Sequence, residues 1–291
     1  MLRTALLATL LLAADNVGQQ NPTAIAFLRT LQTPSGGFVT VAPPKGTEPR
    51  PSLRTTRTGL RCFRLLGGQP ADRPAVIRYL KACYDPKSGG FSDRPGTKPD
   101  AISTAVGLMI LGELQLPIQP YREAGLKFMN ENTAGFEQIR MVASALEELG
   151  RRVPQADRWL KVIAQARNSD GSYGQGPGKA RTTALYVVAQ LRLGGKPESD
   201  EVVLKVLRAG QRADGGFGGD KEGGSDLEAC YRVVRLFSRL NAQPGRPQEL
   251  RAFIARCRNA DGGYGTRPGE PSSLHGTYYA TIVRHWMDGG K

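Results

Sequence analysis

Arginines at helical spacing are the first residues in this sequence that could hold a ligand. Arg54, Arg57, Arg61 and Arg64 recur at i, i+3, i+7 and i+10, and Arg232, Arg235 and Arg239 continue a face that begins at Glu228. On a helix each set forms one stripe. A guanidinium binds phosphate or carboxylate through two parallel hydrogen bonds. Turned into a cavity, such a stripe would take an anionic ligand; turned outward, it would be a solvated, ion-paired face. Other reactive side chains are few: His275 and His285, and Cys62, Cys83, Cys230 and Cys257, with no CxxC pair. That excludes a disulfide-dense scaffold, a zinc-finger array and a histidine-rich metal cluster. Around Cys230 the local pattern has structural readings. Ser225-x-x-Glu228 reads as a capping box with Ser225 as N-cap, and Glu228 precedes Arg232 by four, a favourable ion-pair spacing. Cys230 itself falls on the apolar stripe of Leu227, Val233, Val234, Phe237 and Leu240, where a thiol packs as a small hydrophobe.

These residues sit in a chain of 291, with 40 Lys and Arg against 26 Asp and Glu, a formal charge of +14. Hydrophobic residues make up 40%, enough to bury a core rather than remain disordered. No apolar run reaches the roughly 18 residues of a transmembrane helix. The basic residues are dispersed, with no block of five, so nucleic acid is not the expected partner.

What positions them is a repeat. A tight turn recurs at Gly36-Gly37-Phe38, Gly89-Gly90-Phe91, Ala134-Gly135-Phe136, Gly171-Ser172-Tyr173, Gly215-Gly216-Phe217 and Gly262-Gly263-Tyr264, a period of about 45 residues. Asp170, Asp214 and Asp261 precede three of the turns, and Asp-Gly favours a turn because glycine accepts positive φ. Each turn lies between two segments of helical periodicity. Those after it are the longer, such as Thr104 to Leu116, Thr183 to Leu193 and Leu227 to Leu240. The third copy is degenerate and lacks the Pro-Gly loop of its neighbours. An all-α fold of six helix–turn–helix units follows; periodicity alone leaves open whether they form a solenoid or a closed ring.

Six such repeats, with Pro-Gly loops at Gly174 to Gly178 and Gly265-Thr266-Arg267-Pro268-Gly269, resemble the α/α toroid of protein prenyltransferase β subunits and class II terpene cyclases. The resemblance implies six inner helices around a deep cavity and six outer ones. It further implies a zinc site, because β subunits ligate zinc through an Asp-x-Cys pair after the fifth turn and a His after the sixth. Glu228, Cys230 and His275 stand at those places, with Glu in place of Asp. Such a site would hold an incoming thiol as thiolate for attack on a prenyl diphosphate. Glu228 and Cys230 point about 200° apart on an ideal helix, so they converge only if Glu228 lies in an irregular first turn. Asp226, four residues before Cys230, is the rival carboxylate. Tyr231 matches a diphosphate-contacting tyrosine of the family. The family's other cationic contacts are out of register, which leaves Lys179, Arg181 and Lys221 for that role. A separate α-type subunit is also implied. The cyclase acid motif Asp-x-Asp-Asp is absent, as is the thioester sequence of complement-like toroids. Outside that resemblance, Gly174 to Lys179 lacks the spacing of a phosphate loop, and no Gly-x-Ser-x-Gly elbow occurs.

The amino terminus has a separate signature. Met1-Leu2-Arg3 precedes the apolar run Ala5 to Ala14, as in a secretory signal cleaved near Ala14. The twelve repeat helices are accommodated in residues 22–291, so 2–14 would be surplus. The expectation is therefore a signal at 1–14, a single toroid over 15–291, and a periplasmic or secreted protein; without the signal it would be cytoplasmic. The functional expectation is zinc-dependent prenyl transfer to a thiol. Its alternative is an exported, non-catalytic toroid that holds a peptide or hydrophobic ligand in its cavity.

Overall fold

The computed structural model describes residues 22–219 and 223–290. The expected signal segment and Lys221 lie outside the described residues. Twelve α-helices are present among them: α1 (22–30), α2 (Leu53–Leu66), α3 (Arg73–Ala82), α4 (Ala101–Glu113), α5 (Gln119–Asn132), α6 (Phe136–Leu149), α7 (Ala156–Gln165), α8 (Lys179–Arg192), α9 (Asp200–Ala209), α10 (Leu227–Arg239), α11 (Pro247–Arg256) and α12 (Leu274–Met287). None is long and apolar enough to cross a membrane. The only sheet among the described residues is the two-residue hairpin of β1 (Tyr84–Asp85) and β2 (Gly90–Phe91), which forms the second turn.

The even-numbered helices, those after the turns, pack side by side: α2 on α4, α4 on α6, α6 on α8, α8 on α10, α10 on α12, and α12 back on α2. The fold is thus a closed α/α toroid, with the post-turn helices inside. Main-chain bonds stitch the units at the same point of successive repeats. The first N–H of α2 donates to Asp93 O at 2.8 Å and that of α10 to Thr266 O at 2.9 Å, each in the following repeat; that of α12 donates to Thr40 O of the first repeat at 2.8 Å.

Five of the six turns are each tied to their inner helix by one side chain. The N–H of Phe38 donates to Thr56 Oγ1, that of Phe91 to Thr104, of Tyr173 to Thr183 and of Tyr264 to Thr277, at 2.9–3.1 Å. In the fifth repeat the acceptor is Cys230 Sγ, 3.3 Å from Phe217 N. The aromatic ring at each of these positions is buried in the core. The turn glycines are required by their surroundings as well as by φ. Gly215 has φ 84°, and a Cβ there would lie 2.3 Å from the Glu249 backbone of α11. Gly262, φ 86°, abuts Thr23 of α1 in the same way, so the last turn docks on the first outer helix.

The third repeat omits this device. No bridge joins its turn; instead Gln138 Oε1 accepts the N–H groups of Ala134 and Gly135 at the start of α6. Two inner helices also start earlier than their periodicity suggests: α4 begins at Ala101, not Thr104, after the cap in which Asp100 accepts the Ser103 N–H, and α8 begins at Lys179, because the polar residues of its first turn belong to the helix.

Candidate functional site

All six inner helices are entered from a turn at the same end of the ring, so they run parallel. The N-terminal halves of α2, α4, α6, α10 and α12, with Arg192 at the end of α8, surround one cavity of about 220 Å³, and the C-terminal ends of all six frame a wider mouth of about 850 Å³. Arg61, Arg192 and Arg235 line both and form a waist between them. Counting from the turn-fastening residue of each helix orders the lining into layers. Two positions before it come Arg54, Ile102, Arg181, Glu228 and His275; one after it, Arg57, Tyr231 and Tyr278; five after, Arg61, Met109 and Arg235; nine after, Glu113, Arg192, Arg239 and Trp286.

The lumen is polar and rich in cations. Glu113 pairs with Arg61 and Arg64, Glu137 with Arg140, Glu147 with Arg192 and Arg239, Glu148 with Arg57, and Glu228 with Arg181 and Arg232. Among the described residues, five carboxylates therefore serve eight guanidiniums. Arg235 has no carboxylate among the described residues. It is 8% exposed, and its guanidinium lies 4.1 Å from the centre of the Tyr231 ring and 5.6 Å from that of Trp286. Burial drives its pKa well down from the ordinary arginine value, and repulsion by Arg192, Arg61 and Arg140 adds to this. Tyr231 in turn stacks on Tyr279 at 4.9 Å and on Trp286 at 5.6 Å, and meets Tyr278 edge-on. One wall of the lumen is thus aromatic and faces guanidiniums.

The residues expected to hold zinc take other roles here. Asp226, not Ser225, is the N-cap of α10: its carboxylate accepts the Ala229 N–H at 2.8 Å, while Ser225 Oγ donates to Asp214 at 2.7 Å. With a regular cap there is no irregular first turn. Glu228 turns to Arg181 and Arg232 at the edge of the lumen and Cys230 toward its own turn, as the 200° separation on a helix requires. Burial opposes the Glu228 carboxylate, yet Arg232 and Arg181 hold it below the ordinary range. Burial pushes the Cys230 thiol up, away from the thiolate a metal needs. His275 lies beside Glu228 and Tyr279; burial keeps its imidazole below the ordinary range, and Arg232 adds to this. No three His, Cys, Asp or Glu side chains converge among the described residues. In this arrangement the donor set does not fit zinc.

Of the expected diphosphate contacts, Tyr231 lines the lumen and Arg181 reaches its edge through Glu228 and Arg232. Lys179 does not: it pairs with Asp170 of the fourth turn at 2.6 Å, beside an external groove along α9. The arginine stripe of α2 divides. Arg57 and Arg61 turn into the lumen, whereas Arg54 pairs with Asp93 and Asp100 at the rim. Sequence reasoning missed Arg140, Arg192, Tyr279 and Trp286. The signal that finds Arg192 and Trp286 is the register of the fastening Thr, which puts each nine positions on, at a lumen position of its own repeat.

A family model described as the prenyltransferase alpha-alpha toroid domain matches residues 59–142 and 139–285. The protein farnesyltransferase subunit beta of Arabidopsis thaliana is 33% identical over 127 residues, 41% of this chain and 26% of that protein. A drimenyl diphosphate synthase of Streptomyces showdoensis is 27% identical over 146 residues, 45% of this chain and 27% of its own length. The matches thus span about a quarter of the length of these curated relatives. Among solved structures, the type II terpene cyclase MstE from Scytonema superposes with a TM-score of 0.59 over 94% of this chain and 98% of that one, at 12% identity. That likeness is one of fold.

Proposed function

Because this chain belongs to the prenyltransferase alpha-alpha toroid family, we propose that its lumen binds a prenyl diphosphate. One observation carries the reading: a wall of Tyr231, Tyr278, Tyr279 and Trp286 faces guanidiniums that outnumber the carboxylates among them. An amphiphile with an apolar chain and a multiply charged head satisfies both surfaces. Guanidiniums neutralise a diphosphate bidentately and so stabilise it as a leaving group. Ring faces attract the positive charge that develops on an allylic carbon as that group departs.

The finer expectation, transfer to a thiol on zinc, asks Cys230 to leave the bond that fastens its turn. The proposal therefore stops at the prenyl diphosphate and routes no step through a metal. Stoichiometric zinc in wild-type protein, lost in Cys230→Ala, would restore the transfer reading. The curated relatives from Arabidopsis thaliana and Pisum sativum are named as beta subunits, and on that ground a separate α-type subunit forms part of the proposal. Export is a further part, resting on Arg3 and the Ala5 to Ala14 run. Intact-mass measurement of protein recovered from a secreting host should give a chain beginning near Asp15; a retained Met1 would remove it.

Titration calorimetry tests the central reading. Farnesyl diphosphate should bind, and farnesol, which lacks the charged head, should bind at least tenfold more weakly. Equal affinity for both, or binding of neither, would favour the non-catalytic toroid with a peptide or hydrophobic ligand.

A further inference from the structure

The waist of the lumen concentrates cations that the carboxylates among the described residues balance only in part. Arg61, Arg192 and Arg235 come from three different inner helices and line the cavities on both sides. Arg192 shares Glu147 with Arg239, and Arg61 shares Glu113 with Arg64. Arg235 has no acidic partner among the described residues and is more than nine-tenths buried. Among the described residues the buried Nε of Arg57 has no hydrogen-bond partner, and that of Arg61 has only Glu113 Oε1 at 3.6 Å, beyond hydrogen-bond distance. Burying an uncompensated charge is costly, and like charges brought together raise that cost. The N-termini of six parallel helices open on the same side, which adds positive potential along the axis. Such a cluster fits an anion with several oxygens, each shared between guanidiniums that present paired donors in a plane.

We infer that Arg61, Arg192 and Arg235 form a seat for phosphate groups midway along the lumen. The inference deepens the prenyl diphosphate reading and rests on it for the identity of the chain attached. It moves the charged head inward from the Tyr231 and Arg181 rim that the sequence pattern suggests. The shared chemistry is phosphate or diphosphate, free in solution or carried on a lipid chain.

Arg235→Met keeps the apolar stem and removes the charge; Arg235→Lys keeps the charge and removes the fork. The full chain is unfolded thermally in inorganic pyrophosphate and in sodium chloride of matched ionic strength. Wild-type protein should be stabilised by pyrophosphate beyond the chloride control. Arg235→Met should unfold at a higher temperature than wild type without ligand, because it removes an unbalanced buried charge. It should also lose the pyrophosphate shift, and its affinity for farnesyl diphosphate should fall at least tenfold. Arg235→Lys should recover part of both. No pyrophosphate shift in wild type, or a full shift in Arg235→Met, would overturn the seat. Farnesyl diphosphate bound with unchanged affinity by Arg235→Met would overturn the seat and leave the prenyl reading standing. A pyrophosphate shift that depends on Arg235, together with no binding of farnesyl diphosphate, would support the seat and remove the prenyl reading.

Discussion

At the scale of single residues, Cys230 illustrates how one position serves two explanations until its neighbours are compared. In four other repeats its place is taken by threonine, whose hydroxyl accepts from the turn. In the first and sixth it also donates to the N-cap carbonyl, as Thr56 does to Ser52 O and Thr277 to Ser273 O. Cys230→Thr should therefore preserve stability or raise it, with Asp226 O available as acceptor. Cys230→Ala should cost about 1 kcal/mol for the buried N–H left without its partner. Denaturant midpoints of the two variants check this; equal losses would contradict a fastening role. Glu228 gives a pH test. Its folded-state pKa lies below the ordinary value because Arg232 and Arg181 outweigh burial. Its stabilisation is then complete above the unfolded carboxylate pKa of about 4.3 and fades as pH falls through the folded value. Glu228→Gln should be less stable at neutral pH, with the deficit shrinking on acidification. Parallel curves for the two proteins from pH 7 down to acid would contradict the pairing.

At the scale of elements, the turn and the outer helix after it form one joint. Gly46 and Gly215 share φ 84°, but a Cβ on Gly46 meets nothing within 4 Å, whereas on Gly215 it would strike the α11 backbone. Gly46→Ala should cost about 1–2 kcal/mol for the left-handed conformation alone, and Gly215→Ala clearly more. Thermal unfolding of the pair isolates the packing contribution, and equal costs would deny the joint. The six turns were legible because glycine pairs and aromatics recur at a fixed period, and the helices because their apolar stripes do. Helix starts were less so: α8 opens on Lys179 and Arg181, off any apolar stripe, and the start of α4 is set by the Asp100 cap. The lumen was half legible. The Arg57 and Arg61 stripe announced itself, but which stripe faces inward is decided by the neighbouring helix, which no local spacing encodes. The opposed directions of Cys230 and Glu228 were not legible, because a three-residue resemblance carries no side-chain direction and the Asp226 cap that sets it reads in sequence like a competing ligand.

At the scale of the whole molecule, the feature with the widest reach is the contact of the sixth turn with the first helix. Gly262 abuts Thr23, Arg258 donates to Thr23 Oγ1 at 3.0 Å, and the N–H of Leu274 reaches Thr40 O. During synthesis, the earliest helices must wait for the final repeat before the wall around the lumen is complete. Ligand binding should accordingly be acquired only once the last repeat has emerged from the ribosome. The same joint makes the order of repeats around the circle independent of where the chain starts. A circular permutant that opens the exposed loop at residues 195–198 and joins 290 to 22 through a short Gly/Ser linker should keep its helical circular dichroism and a melting temperature within a few degrees of the parent. A permutant that melts far earlier would mean that the seam between the sixth repeat and the first is weaker than the five continuous ones.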